Sequence, residues 1–392
     1  MRFSSTSFFE RISLGWIIAL GAIVRFVPAL LLAKVSDYDI DSYWLVSKQV
    51  LAVHDVYTNP ALVNRHPYLP MLMYWLGFAR WISNHLGLDF PFIVKFAFIG
   101  ADVLIIVLIY YALKRNGKLN PELGALLYAI NPIAIFIMAY HGQFDAIPIV
   151  FLLLSLIFIN RSAGLSGILM GFGILIKSWP VLGFPTILYS LREVKQKIIF
   201  VVSAFVIPLS GIFLYVIIYK ANWLIVLKNA VSYNHGIGIW GYTYLLRLLA
   251  LWIPFLKYFI SHYFYISRFI TLGILAIVWY RTIRKQNPFG VVLTTLIAFL
   301  AFTHAFSIQY LIWIIPFGLI EADDKWFWYY NLAAFSYCFL VYNTLILRTA
   351  ITNILALPFA DLAIIIPSGL PCWFVLLGWA FYRIKKTEIG TK

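Results

Sequence analysis

The chain of 392 residues is 63% hydrophobic and carries 30 basic and 15 acidic side chains, giving a formal net charge of +15 and a mean hydropathy of +0.89. Soluble domains are about half apolar and about a quarter charged, so this composition excludes a soluble enzyme, a disordered chain and a disulfide scaffold. The positive charge gathers in short loops between apolar runs, as in cytoplasmic loops facing anionic lipid, and so points to a polytopic all-α membrane protein rather than a nucleic-acid binder.

A membrane-crossing helix needs about 20 apolar residues. The pattern predicts spans at 13–33, 90–113, 121–140, 145–159, 198–219, 262–280, 289–305, 306–320, 326–347 and 364–383. The first run contains Arg25 and lacks a small-residue cleavage site, so it reads as a retained span. Basic clusters at Lys114-Arg115, Arg161, Arg192 to Lys197, Arg281 to Lys285 and Arg383 to Lys386 mark the cytoplasmic side and place both termini there. Loops 34–65 and 220–242 then lie outside. Segments 66–86 and 243–260 begin and end on one face in this scheme. They are either re-entrant or interfacial helices, or sites where the charge bias misleads. The stretch 164–190 goes up and comes back in halves of about 13 residues, each rising only about 20 Å. That geometry puts Lys177 at a turn inside the protein. Gly167-x-x-x-Gly171 reads as a helix-packing motif. No repeat or linker interrupts the chain, which reads as one domain, 1–392. Cys338 and Cys372 sit in apolar runs with no metal or redox spacing.

The most unusual local feature is Asp37-Tyr38-Asp39-Ile40-Asp41-Ser42-Tyr43-Trp44, directly after the first span. Like charges this close repel, so one of the carboxyls is expected to have a raised pKa. Residues 42–53 read as an amphipathic helix lying along the interface, with Tyr43 and Trp44 at headgroup level. Taken alone, the acids fit a solvated loop with Asp41 or a neighbour capping that helix. The paired form also admits Mg²⁺ or Mn²⁺.

The wider pattern adds a resemblance. Asp39-Ile-Asp41-x-Tyr43 is followed by Tyr57, Tyr68-x-Pro70, Lys95, Asp102, Asn131-Pro132, Lys177-Ser-Trp-Pro180 and Gln309-Tyr310-x-x-Trp313. This order resembles the GPI mannosyltransferase I catalytic-subunit family, and His141-Gly142-Gln143-Phe144-Asp145 looks more like its prokaryotic relatives. The resemblance implies a GT-C fold of roughly 10–13 transmembrane or re-entrant helices with a catalytic first outer loop. It implies transfer of mannose or another hexose from a polyprenyl- or dolichyl-phosphate sugar to a lipid-linked or protein-linked glycan. The face would be outer or lumenal, in a prokaryotic plasma membrane or the endoplasmic reticulum. A small partner subunit is implied as well, and no required cofactor.

The chemistry suits the residues. A polyprenyl phosphate is a weakly basic leaving group and needs no general acid. One carboxylate on the acceptor hydroxyl and cations on the departing phosphate are enough. Asp39 is assigned as the base, with Asp41 orienting the acceptor or sharing the role. Lys177 and Arg348 are the donor-phosphate candidates, since charges inside a membrane are costly and default to function. Headgroup anchoring is an equal alternative for Arg348. Tyr43, Arg65, His141, Gln143, Asp145, Gln309 and Tyr310 are assigned to substrate binding, with an N-cap of helix 146–159 as an equal alternative for Asp145. Lys95 is expected to pair with Asp102, and His304 to be a hydrogen-bonded structural histidine. Asn234-His235 lies in the second long outer loop and carries no motif. The competing class is a multi-pass transporter or lipid-linked-sugar flippase, and a non-catalytic scaffold is a third. The transporter would favour two related halves and a midplane site, and the sequence shows neither.

Overall fold

A computed structural model describes residues 12–63, 65–231, 238–322, 325–343 and 366–389. Among the described residues the regular elements are all helices. The chain groups into two compact units, Met1–Tyr233 and Asn234–Lys392. Arg348 and Asn234-His235 lie outside the described residues.

The first unit begins with α1 (Leu14–Leu31) and α2 (Tyr38–Leu51), followed by α3 (Met71–Leu86) and α4 (Phe90–Asn116). Next come α5 (Pro121–Ala129) and α6 (Pro132–Ile135), which continues as a π-helical turn, Phe136–His141. Helices α7 (Ala146–Phe158), α8 (Ala163–Ile176), α9 (Phe184–Ser190), α10 (Val194–Tyr219) and α11 (Trp223–Val231) complete it. Among the described residues three helices, α1, α4 and α10, are long and apolar enough to cross a membrane. The pair Pro121–Ala129 and Pro132–His141 reaches that standard together but bends by 42°. Asn131 explains the break, because its Oδ1 accepts from the Ile133 and Ala134 amides and starts a new helix ahead of Pro132. Along α10 an apolar stripe of Ile198, Val202, Phe205, Leu209, Phe213 and Ile217 is exposed, as a lipid-facing surface requires.

Buried polar groups tie these helices together. Arg25 on α1 bonds Asp102 on α4 through Nε. Its Nη1 donates to the Ala129 carbonyl at 2.6 Å and Nη2 to that of Tyr128 at 3.3 Å. The Tyr128 hydroxyl donates to the same Asp102 carboxylate. Arg25 and Asp102 are both fully buried. The expected Lys95–Asp102 pair is therefore corrected: Asp102 serves Arg25 and Tyr128, and Lys95 turns to the carbonyls of Ala139 and Tyr140. Gly167 and Gly171 do pack as the motif implies. A Cβ there would come within 2.5 Å of the Phe200 carbonyl oxygen and 2.7 Å of that of Ala204, so α8 and α10 meet backbone to backbone.

The predicted interfacial helix starts four residues earlier than its amphipathic pattern implies. Asp37, rather than Asp41, is the N-cap of α2, accepting from the Asp39 and Ile40 amides at 2.9 Å. The loop that follows is latched to α10. The Tyr215 hydroxyl donates to Asp55 Oδ1 at 2.7 Å and accepts from the Val56 amide at 2.8 Å. The Tyr57 hydroxyl closes the loop on the Tyr68 carbonyl at 2.7 Å. Tyr215→Phe is expected to cost about 1–3 kcal/mol. Limited proteolysis should then cut faster within 52–70 and no faster elsewhere.

In the predicted hairpin, α8 ends at Lys177 and a 3₁₀ turn, Trp179–Gly183, leads into α9. The predicted outer loop 220–242 is helical over α11.

The second unit contains α12 (Gly241–Trp252), α13 (Pro254–Thr282), α14 (Pro288–Phe302), a 3₁₀ turn (Ile308–Ile312), α15 (Ile315–Glu321), α16 (Lys325–Tyr342) and α17 (Leu370–Ile389). Segment 243–260 and the span expected at 262–280 are divided differently from the prediction. Pro254 ends α12 and opens a single 29-residue helix that carries both Lys257 and Arg268.

Candidate active site

Helix α2 presents Ile40, Tyr43, Val46 and Val50 to the core, while Tyr38, Asp41, Trp44 and Lys48 are exposed. Asp39 lies at the boundary, with its side chain 36% exposed. The π turn delivers its partners. His141 ends that turn and Gly142 follows in the left-handed region at φ +80°, which brings Gln143 back toward Asp39. A Cβ on Gly142 would lie 2.7 Å from Lys95 Cε and 3.2 Å from Ile40 Cδ1, so only glycine fits between α2 and α4.

Asp39 Oδ2 accepts from His141 Nε2 at 2.8 Å and from Gln143 Nε2 at 2.6 Å. The two nitrogens are 3.0 Å apart. With the proton on His141 Nε2 both point at the carboxylate, and their mutual approach is a consequence of sharing one acceptor. The Tyr43 hydroxyl donates to Gln143 Oε1 at 3.4 Å, which orients the amide with its nitrogen toward Asp39. Both side-chain donors fall on Oδ2, and among the described residues none donates to Oδ1. Burial pushes the Asp39 carboxyl up, but the hydrogen bond and charge of His141, the Gln143 hydrogen bond and the charge of Lys177 outweigh it. The net effect holds Asp39 below the ordinary carboxylate range. Asp39 is therefore not the carboxyl of this acidic cluster that crowding raises, because donors and neighbouring positive charge prevail there.

A second cluster adjoins the first. Lys177 Nζ donates to both Asp145 oxygens, at 2.9 and 3.0 Å, and lies over the rings of Phe144 at 5.0 Å and Tyr68 at 5.4 Å. Phe144 also meets Tyr43, with centroids 6.3 Å apart, so one ring borders both clusters. Asp145 stands at the N-cap position of α7 but makes no capping bond, and its carboxylate faces Lys177 instead. Arg65 donates to Ser42 Oγ at 3.1 Å and stacks over Tyr38 at 4.7 Å, against the start of α2. Asp41 is exposed and accepts from the Ser36 hydroxyl.

In the second unit, Gln309 and Tyr310 are buried on the 3₁₀ turn. Gln309 accepts from Ser307, and Tyr310 stacks on Trp313 at 4.2 Å. His304 was expected to be hydrogen-bonded, yet both ring nitrogens are buried with no partner among the described residues. A lone histidine in an apolar run gives no sequence signal for that state.

The first loop holds another buried imidazole, His66, enclosed edge-on by Tyr57 and Tyr68. Burial pushes it down to about 3, offset only in part by the Leu69 backbone. The unfolded chain binds this proton near pH 6.5 and the folded one only near pH 3, so between those values the unfolded state carries more protons. Stability should therefore fall by about 1.4 kcal/mol per pH unit on acidification through that window. His66→Gln should flatten the slope in pH-dependent melting of the detergent-purified protein, and an unchanged slope would contradict the assignment.

Three atoms of Asp37, Asp39 and His141 lie within 4.8 Å of one another, close enough to share a cation. In this arrangement Asp37 Oδ1 caps α2 and Asp39 Oδ2 takes the His141 and Gln143 donors.

Against known proteins, the profile of glycosyltransferase family 87 matches residues 87–307, more than half of the chain. The chain belongs to glycosyltransferase family 87. No curated protein and no solved structure matches it. The match supports a GT-C-type glycosyltransferase in an integral membrane protein and does not favour the transporter reading. It is a match to family 87, and the finer likeness to GPI mannosyltransferase I is not confirmed by it. Lys95, His141, Gln143, Asp145 and Lys177 fall within the matched family 87 segment, whereas Asp39 precedes it and Gln309 and Tyr310 follow it.

Proposed function

We propose that this family 87 enzyme moves mannose, or a related hexose, from a polyprenyl-phosphate sugar to a lipid-linked or protein-linked glycan on the outer face of the membrane. The observation that carries the reading is Asp39, ionised, pinned through one oxygen by His141 and Gln143 and open at the other. In this mechanism the acceptor hydroxyl binds Asp39 Oδ1 and attacks the anomeric carbon from the side opposite the phosphate. The new C–O bond forms as the bond to the phosphate oxygen breaks. The hydroxyl proton passes to Asp39, the bonding pair leaves with the polyprenyl phosphate, and the anomeric configuration inverts. A carboxylate held below its usual pKa is a weak base, which suits late proton removal from a hydroxyl already bonding to an oxocarbenium-like anomeric carbon.

Lys177 is assigned to the donor phosphate together with Arg348. Because Lys177 contacts Asp145, the phosphate would share the ammonium with that carboxylate. Arg65 and Tyr43 are assigned to the acceptor side, with Gln309 and Tyr310 as further substrate contacts. Asp41, exposed at the start of α2, is assigned to orienting the acceptor. No metal is required by this chemistry, since the leaving group is already an anion of low basicity.

The test is a donor comparison with purified protein in buffer containing EDTA. Label should move to a glycolipid acceptor from polyprenyl-phosphate mannose and not from a nucleotide-activated mannose. Transfer from the nucleotide sugar alone would overturn the reading. Label crossing sealed vesicles with no covalent product would replace it with a flippase.

A further inference from the structure

We infer that Lys95 is a positioning residue that sets the geometry of the π turn and, through it, the hold of His141 and Gln143 on Asp39. The inference rests on Asp39 being the base. Lys95 is 1% exposed, and its ammonium donates to the carbonyls of Ala139 at 3.1 Å and Tyr140 at 2.8 Å. Those carbonyls lie at the end of the π turn, where the helix stops and backbone acceptors lose their intrahelical partners. The turn closes instead with the Gly142 and Gln143 amides both donating to the Ile137 carbonyl. A cation at a helix C-terminus satisfies orphan acceptors and opposes the negative end of the helix dipole.

The stem of Lys95 also fixes the next residue, since Gly142 packs on it so closely that a Cβ would lie 2.7 Å from Cε and 3.0 Å from Cγ. One buried side chain therefore contacts residues 139, 140 and 142, three of the four that directly precede Gln143. π turns recur at functional sites because the extra residue re-aims a side chain. Here the re-aimed side chains are the two donors to Asp39 Oδ2.

Lys95→Met keeps the stem and removes the ammonium. Its expected effect is a fall in kcat of about 10- to 100-fold, in the range that misplacing a catalytic group by about 1 Å produces, with the donor KM within about twofold of wild type. Hydrogen–deuterium exchange, which needs no substrate, should rise about tenfold at the amides of 137–143 and remain unchanged in α8 and α10. This arm separates the two readings: if wild type turns over no donor, the function proposal fails while exchange still decides the role of Lys95. Unchanged exchange at 137–143, exchange that rises equally through α8 and α10, or a loss expressed in KM alone would each overturn the inference.

Discussion

Asp39→Asn is expected to lower kcat for sugar transfer by about 10²- to 10⁴-fold, the usual contribution of a positioned general base. Asparagine keeps the shape of the side chain and can still offer an oxygen to His141 and Gln143, so the substitution removes basicity and charge while leaving the two donors an acceptor. Donor affinity should change by less than about threefold, because the donor phosphate is assigned to other residues. Asp41→Asn is the internal comparison. Asp41 is exposed and bonded to Ser36, away from the His141 and Gln143 donors, and its substitution should cost less than about fivefold. Steady-state kinetics on both variants decide the assignment. Equal losses would make the two acids joint participants, and a larger loss at Asp41 would move the base there.

Arg25→Met is expected to destabilise the first unit by about 3–5 kcal/mol, since removing one partner leaves Asp102 as an uncompensated buried charge. The ammonium of Lys95 does not replace it, being committed to the carbonyls of Ala139 and Tyr140. The Ala129 and Tyr128 carbonyls lose their donor at the same time. Adding Asp102→Leu should recover most of the loss, because an apolar pair of similar volume is tolerated where half an ion pair is not. Thermal unfolding in detergent measures both variants. A single-variant loss under about 1 kcal/mol would show that Arg25 and Asp102 are not joined as described.

The membrane class was legible in composition, since 63% apolar content leaves a chain of this length little choice. Spans with a continuous apolar run were found where helices α1, α4 and α10 now stand. Bent elements were harder. Residues 121–140 read as one span because periodicity carries no record of the Asn131 cap that breaks it. At the site, the acidic loop and the His141-to-Asp145 segment were visible as unusual polar residues beside apolar runs. Their pairing was not. Asp39 and His141 are 102 positions apart, and only tertiary packing shows that His141 and Gln143 share one oxygen. The Lys95 assignment failed for a related reason. Helical spacing made Asp102 its natural partner, whereas the orphan carbonyls of a π turn leave no trace in side-chain chemistry.

The most direct test of the central claim is a single turnover of a synthetic polyprenyl-phosphate mannose of known anomeric configuration, with a glycolipid acceptor present, by wild type and by Asp39→Asn. Wild type should release polyprenyl phosphate in step with a glycoside of inverted configuration, and Asp39→Asn should bind the donor yet form neither product. Retained configuration, or turnover by Asp39→Asn at the wild-type rate, would contradict the account.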